Sequence, residues 1–191
     1  MTHLAIALCN YCASKQKKKC AYLELHARNE ISQLVPEAKL LSSSPKNLNT
    51  VVLPGVQNRP RIRLCGVDYY PAVTASEVPA LLNHGYDYLI LDVGTPDEGM
   101  LSEFLRCDRK LILGSLAPWK SWKYEALFQK FTDDINLGEG FDYLVQTGST
   151  KELASFSKTH HIKMQVVPFI KNPFHIEKEL FPFLGTLSTE P

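Results

Sequence analysis

Two kinds of hydrophobic pattern alternate along the chain. Apolar residues at helical spacing predict helices at residues 2–16, about 75–84, 97–106, 118–131, 150–158 and 176–184. Short, almost wholly apolar runs predict strands at residues 20–26, 86–92, 110–115, 142–146 and 162–167. This alternation implies right-handed crossovers between parallel strands. It therefore predicts a three-layer α/β fold, in which helices flank a mostly parallel sheet of about five to seven strands.

The region between the first strand and residue 75 is the hardest to interpret. We expect a short helix at 29–34 and then an irregular stretch to about residue 47, because prolines and serines interrupt the pattern. Residues 51–53 and 61–65 are weak strand candidates. Residues 66–71 are expected to lead directly into the next helix, which Thr74 or Ser76 would cap.

The strand predicted at 86–92 ends in a candidate functional residue. Its apolar, aromatic and branched side chains indicate a central strand that is buried on both faces. Asp92 stands at its carboxyl end, followed by Gly94 and a Thr-Pro turn. Open α/β sheets bind ligands at the carboxyl ends of their strands. Asp92 is therefore a candidate site residue, with capping of a helix or turn as the structural alternative.

The composition is that of an ordinary globular protein, and we expect one domain. Hydrophobic residues make up 45% and charged residues 21% of the 191 positions. The net charge of +1 gives no strong signal for nucleic acid or an anionic membrane, and no apolar run is long enough for a membrane span. Five cysteines without paired metal spacing, together with the lack of a secretory signal, favour a reducing cytoplasmic location.

Two short motifs suggest chemistry but have simpler interpretations. Cys9 and Cys12 match C-x-x-C, yet no strand precedes them, so we interpret them as small buried residues on a helix face. His160 and His161 have no third ligand at metal spacing, and we predict no metal site there.

Trp119 and Trp122 lie on one face of a predicted helix, beside Lys120 and Lys123. The aromatic and basic side chains could stack on bases or on an adenine. We favour packing of both tryptophans on the sheet. If the face is exposed instead, it is a candidate surface for binding a partner.

The order and spacing of several segments resemble a known family. Residues 1–14, followed by 17–25, are similar to the segment after the phosphate loop in the deviant-Walker MinD/ParA-type P-loop ATPases. Thr2 matches the threonine of the family's Gly-Lys-Thr sequence. Residues 86–94 resemble its buried strand ending in aspartate, and 111–115 resemble the strand after it.

The resemblance implies ATP and Mg²⁺ as cofactors and a role for each matched residue. The Thr2 hydroxyl would bind Mg²⁺, and Asp92 would hold the metal through water. The Gly94 backbone would respond to the terminal phosphate. Glu24 would lie near the metal and the attacking water, so that Glu24 and Asp92 are the catalytic candidates. Capping of the first helix is the structural alternative for Thr2.

Two departures from the family change this expectation. Only Met1 precedes Thr2 in the 191 residues, so the family's first strand and its glycine-rich loop with lysine have no counterpart. His26 stands where the family has its second acidic residue. We therefore expect residues 1–191 to form a single P-loop NTPase-like α/β domain, amino-terminally truncated, without nucleotide hydrolysis.

Two functions from different classes follow. One is a truncated or degenerate MinD/ParA-type ATPase-like protein. The other is a non-enzymatic α/β scaffold that acts through protein–protein contacts, as a homodimer or with a protein partner. A flavodoxin-like or response-regulator-like domain fits less well, because Glu24 alone is a poor match to the acidic cluster of those folds.

Overall fold

From residue 75 onward helices and strands alternate in the order that the hydrophobic pattern predicts, whereas residues 48–70 contain three consecutive strands. The computed structural model describes residues 1–26, 30–33, 48–53, 56–95, 98–134 and 141–188. In this part of the chain, the strands are β1 (Cys20–Glu24), β2 (Leu48–Leu53), β3 (Val56–Leu64), β4 (Val67–Tyr70), β5 (Tyr88–Asp92), β6 (Lys110–Gly114), β7 (Phe141–Val145) and β8 (Met164–Val166). The α-helices are α1 (Thr2–Ser14), α2 (Val78–Leu82), α3 (Glu98–Arg106), α4 (Ser121–Asp134), α5 (Thr150–His160) and α6 (Phe181–Ser188).

The chain divides into two units, each built around its own sheet. The first unit contains Met1–Arg106 and Ile170–Thr189, and the second contains Cys107–Phe169. The first sheet has five strands in the order β2-β3-β4-β1-β5, and the second has three in the order β6-β7-β8. The single domain expected over residues 1–191 stays a prediction.

Most strand pairs are parallel, as predicted. In the first sheet β1 runs parallel to both β4 and β5, while β2 and β3 form an antiparallel extension beyond β4. In the second sheet β7 runs parallel to both β6 and β8. The fold is therefore α/β, with parallel sheets covered by helices.

Helix α1 is buried on nearly all sides rather than along one stripe. The nine residues Leu4 to Cys12 are all buried. One side of α1 contacts β1 and β5, and α6 covers another. The Tyr11 and Phe181 rings meet with their centroids 5.5 Å apart. A helix that is apolar all round needs such cover on several sides.

Strand β4 was not predicted from the sequence. All four of its residues are buried, and it pairs with β1 in the middle of the sheet. The sequence pattern missed this strand because the carboxylate of Asp68 interrupts its apolar run. Its carboxylate is satisfied within the fold, by Arg63 Nη1 at 3.0 Å and by the Tyr86 hydroxyl at 2.9 Å.

The prediction that 86–92 is a central strand buried on both faces was wrong. Strand β5 lies at one edge of the five-stranded sheet. Its first four residues are half-buried, and only Asp92 is fully buried. The apolar run predicted burial, but among the described residues β1 is the one strand that pairs with it, so part of its surface stays open.

Several predicted boundaries shift. The helix expected to begin at Pro118 begins at Ser121, and the closing helix consists of a 3₁₀ turn followed by α6. Residues 31–33 form a 3₁₀ turn within the short helix expected at 29–34, whose proposed cap Asn29 lies outside the described residues. The capping of the helix near 75 by Thr74 is confirmed by a capping box with Glu77.

The second unit has a small aromatic core between α4, α5 and the sheet. Tyr124 and Phe128 are its buried residues on α4. The Tyr124 ring stacks on Phe156 of α5, with centroids 5.4 Å apart and planes 9° apart. Gly114 makes this packing fit, since a Cβ at that position would lie 2.3 Å from the Tyr124 ring. A side chain at position 114 would therefore displace α4.

The interpretation of Cys9 and Cys12 as small buried residues on a helix face is confirmed. Cys9, Cys12 and Cys20 are buried thiols between α1 and β1, whereas Cys65 is exposed.

Among the described residues, no helix combines the length and apolar character needed to cross a bilayer.

Candidate functional site

The candidate site residues meet at the carboxyl ends of β1 and β5, beside the amino end of α1. Glu24 and Asp92 are the last residues of these strands and stand opposite each other in the parallel register. Both side chains are 0% exposed. Two buried carboxylates at one sheet edge need compensating donors, which decide what the site can do.

Asp92 receives donors from several different elements. The Thr2 hydroxyl donates to Oδ2 at 2.7 Å, and the Tyr22 hydroxyl donates to the same oxygen at 2.8 Å. The Gly94 N–H donates to Oδ1 at 3.2 Å. His26 Nε2 lies 3.4 Å from Oδ2. The positive end of the α1 dipole, close to Thr2, further stabilises the negative charge.

Tyr22 remains a protonated donor in this cluster. Burial, and then the negative charge of Asp92 beside it, raises the pKa of Tyr22 well above its usual range. A phenol that must stay neutral next to a carboxylate gives a strong, charge-assisted hydrogen bond. Tyr22 therefore donates to Asp92 without introducing a second charge into the cluster.

Glu24 is only partly satisfied. Its Oε1 accepts hydrogen bonds from the N–H groups of Glu30 and Ile31. Among the described residues, Oε2 has no hydrogen-bond partner although it is buried. Buried carboxylate oxygens are rarely left without one, so this atom is the natural place for a water molecule or an ion.

His26 connects the two carboxylates to the loop after β5. Its Nδ1 lies 3.9 Å from Glu24 Oε1, and its Nε2 faces Asp92. Gly94 has a φ of +65°, and a Cβ on it would lie 3.1 Å from the His26 Cβ. Glycine is therefore required at position 94 both for its backbone conformation and for the space that His26 occupies.

A pocket of about 340 Å³ opens beside this cluster. It is lined by residues that follow β1, β4 and β5: Leu25, His26, Ala72, Val73, Thr74, Val93 and Thr95, together with Met100 of α3. Its walls are mainly apolar, and His26 is the residue shared with the carboxylate cluster.

The donor set fits Mg²⁺ only with additional ligands. Mg²⁺ prefers oxygen and usually binds one or two protein groups together with waters and phosphates. The Thr2 hydroxyl donates a hydrogen bond to Asp92, so the lone pairs of its oxygen remain available to a cation. Among the described residues, no three His, Cys, Asp or Glu side chains are placed to hold a metal. Thr2 and Asp92 therefore fit a metal that is held mostly by phosphate and water.

All four site residues named from the sequence are brought together, namely Thr2, Glu24, Asp92 and Gly94. Sequence reasoning missed Tyr22. A usable signal existed, because residues two apart on a strand point to the same face, which places Tyr22 on the side of Glu24. The function of these residues remains a prediction.

The other sequence candidates have different surroundings. The prediction that Trp119 and Trp122 pack on the sheet was wrong, because they are 73% and 62% exposed. His160 Nε2 lies 3.1 Å from Glu125 Oε2, and its ring packs against Phe128 and Phe156. His160 therefore has a structural environment in the second unit.

Comparison with known proteins identifies the fold. No protein-family profile and no curated protein sequence matches this chain. A plasmid partition protein of Borrelia burgdorferi bound to AMPPNP matches with a TM-score of 0.61 and 15% identity, over 97% of this chain and 90% of that one. A second structure of a plasmid partition protein from that organism gives 0.60 and 14%, over 97% and 89%.

A third structure is the MinC:MinD cell division protein complex of Aquifex aeolicus. Its matching chain gives a TM-score of 0.57 and 12% identity, over 96% of this chain and 80% of that one. At these identities the likeness concerns the fold. The chain has the fold of the MinD/ParA-type P-loop ATPases.

Proposed function

We propose that this chain carries the metal-holding and phosphate-sensing part of a MinD/ParA-type ATPase-like protein, and that its 191 residues do not hydrolyse ATP by themselves. The observation that carries the proposal is the convergence of Thr2, Glu24 and Asp92 at one edge of the sheet. These residues are distant in sequence, and they match the positions that the resemblance assigns to one site.

Each residue has a task that its surroundings support. Thr2 and Asp92 would hold Mg²⁺, which neutralises phosphate charge when it is bound. Gly94 donates its N–H to Asp92, and its contact with His26 connects the loop after β5 to the end of β1. A change at Gly94 is therefore passed to His26 and to Glu24 beyond it.

The absence of hydrolysis is supported by the two acidic positions. His26 stands at the second of them, and its ring nitrogens face Asp92 and Glu24. Glu24 uses Oε1 to accept two backbone N–H groups, which holds the carboxylate in place. Of the two Glu24 oxygens only Oε2 is then open to a water, and His26 rather than a second carboxylate stands beside it, so the acidic pair that would orient an attacking water is incomplete.

The second candidate function is a non-enzymatic scaffold that acts through protein contacts. It is favoured by one observation, which is that Asp92 is already bonded to Thr2, Tyr22 and Gly94. A carboxylate with this many hydrogen bonds can have a purely structural role, in which it holds α1 against the sheet.

Nucleotide binding separates the two candidates. Calorimetry with Mg-AMPPNP should show no binding to the 191-residue chain. A chimaera that adds, before Thr2, a strand and glycine-rich loop ending in lysine should bind it, because the loop supplies the backbone N–H groups and the positive charge that phosphates need.

Two variants of the chimaera complete the test. Asp92→Asn should weaken binding in the presence of Mg²⁺ and have little effect without it, whereas Tyr124→Phe, a buried change in the second unit, should leave binding unchanged. If the folded chimaera does not bind, or if Asp92→Asn binds equally well with Mg²⁺, the nucleotide proposal is wrong and the scaffold function is left.

A further inference from the structure

Two exposed tryptophans stand at the amino end of α4. Trp119 is 73% exposed and Trp122 is 62% exposed. Trp119 lies in the turn just before α4, and Trp122 is in its first turn, whereas the buried Tyr124 and Phe128 occupy the inward face of the helix. Exposed tryptophan is unusual in a folded protein, and two of them three positions apart form an apolar surface that typically marks an interaction site.

Two uncompensated positive charges accompany the tryptophans. Lys120 and Lys123 are both exposed, and neither forms an ion pair with any described residue. Lys123 Nζ lies 5.4 Å from the centre of the Trp122 ring, so its charge sits on the aromatic surface itself. The next carboxylate along the helix, Glu125, is engaged by Gln129 and His160.

The surface is held on a rigid support. Hydrogen bonds from the N–H groups of Lys120 and Ser121 to the Ala117 carbonyl, both 2.8 Å, fix the turn that presents Trp119. Behind Trp122, Tyr124 is locked between Gly114 and Phe156. A partner that binds here loses less affinity to the ordering of side chains and backbone than one that binds a mobile loop.

We propose that Trp119, Lys120, Trp122 and Lys123 form a docking surface, the Trp–Lys face, for an acidic segment of a partner protein that carries an aromatic or apolar anchor. The lysines select negative charge, and the tryptophans supply the contact area that dominates binding energy at protein interfaces. This surface lies in the second unit.

A protein segment fits the Trp–Lys face better than nucleic acid or lipid does. Nucleic acid affinity comes mainly from the neutralisation of many phosphates, whereas this face offers two cations in a chain of net charge +1. A helix that lies in a membrane surface needs a long apolar face, and α4 turns Tyr124 and Phe128 inward.

The sequence makes a direct test simple. Trp119 and Trp122 are the two tryptophans of the chain, so intrinsic tryptophan fluorescence reports this face alone. The probe is a dye-labelled random copolymer of glutamate and tyrosine, with poly-L-glutamate as the probe that lacks an anchor. We expect saturable binding of the copolymer, a blue shift of the emission, weaker binding with added salt, and weaker binding of poly-L-glutamate.

Three double variants identify the surface, with binding followed by anisotropy of the labelled copolymer. Trp119→Ala with Trp122→Ala should weaken binding roughly tenfold or more. Lys120→Glu with Lys123→Glu should do the same and remove the salt dependence. Lys151→Glu with Lys158→Glu makes the same change of charge at exposed positions of α5 and should leave affinity unchanged. All substituted side chains are exposed, so far-UV circular dichroism should match the parent.

Three results would overturn the proposal. The first is no saturable binding of the copolymer. The second is binding that survives in the tryptophan variant or is lost equally in the α5 control. The third is tighter binding to an oligothymidylate, or to phosphatidylglycerol vesicles, than to the copolymer, since the Trp–Lys face would then recognise nucleic acid or lipid.

Discussion

Replacing Tyr22 by phenylalanine should destabilise the first unit more than the same replacement at Tyr69. The two tyrosines are opposite each other on β1 and β4, and both are 0% exposed. They differ in their partners. The Tyr22 hydroxyl donates to the Asp92 carboxylate at 2.8 Å, whereas the Tyr69 hydroxyl accepts from the neutral Asn10 amide at 2.9 Å.

The magnitude follows from these contacts. A hydrogen bond to a charged group contributes about 1.5–3 kcal/mol, and one between neutral groups about 1 kcal/mol. Phenylalanine keeps the ring, so neither change opens a large cavity. We therefore expect Tyr22→Phe to lower the free energy of unfolding by about 2 kcal/mol and Tyr69→Phe by about 1 kcal/mol.

Urea unfolding followed by far-UV circular dichroism measures the difference. With an m-value of roughly 2 kcal/mol per molar urea, the midpoint should fall by about 1 M for Tyr22→Phe and about half as much for Tyr69→Phe. Equal losses in the two variants, or a larger loss at Tyr69, would show that the charge on Asp92 adds nothing to the bond.

Three further predictions concern other parts of the fold. Gly94→Ala should lower the free energy of unfolding by about 1–3 kcal/mol. The loss should exceed that of Gly66→Ala, because both glycines have positive φ but only a Cβ at position 94 would contact His26. Equal urea midpoints for the two variants would exclude that contact. Ser149→Ala removes the cap of α5 and should cost about 1 kcal/mol in thermal unfolding, whereas an unchanged melting temperature would mean that the cap is dispensable. An aromatic disulfide reagent should label Cys65 quickly in the folded protein and should reach the buried thiols only on unfolding, so fast labelling of all of them would contradict the burial of Cys9, Cys12 and Cys20.

The hydrophobic pattern predicted helices and strands well where apolar residues followed one regular spacing through a whole segment. The apolar run of β5 and the helix predicted at 150–158, which lies within α5, both appear in the structure. The pattern failed where a buried charged residue has partners that are distant in sequence. Asp68 interrupts the apolar pattern of β4, and its partners Arg63 and Tyr86 come from other segments, which no local window can detect.

The candidate site required the resemblance to a family as well as the pattern. Pattern alone indicated Asp92, since an aspartate at the end of a parallel strand is a recognisable signal. Nothing in the spacing connects Asp92 to Thr2, 90 positions away, and the bond between them depends on where α1 lies against the sheet. The exposure of Trp119 and Trp122 could not be predicted from helical spacing either, because Trp119 precedes α4, which begins at Ser121, and spacing does not show which way Trp122 points.

The hydrogen bonds of Asp92 set a condition on any response to nucleotide. Thr2 comes from α1, Tyr22 from β1 and Gly94 from the loop after β5, so the carboxylate fastens three segments of the first unit at one point. For the Gly94 N–H to serve a phosphate, it must first leave Asp92, and the exchange has to offset that lost bond. Its φ of +65° and the nearby His26 ring restrict how Gly94 can move. Under the proposed function, a phosphate signal would therefore reach β1 through His26, because its ring lies beside Gly94, Asp92 and Glu24.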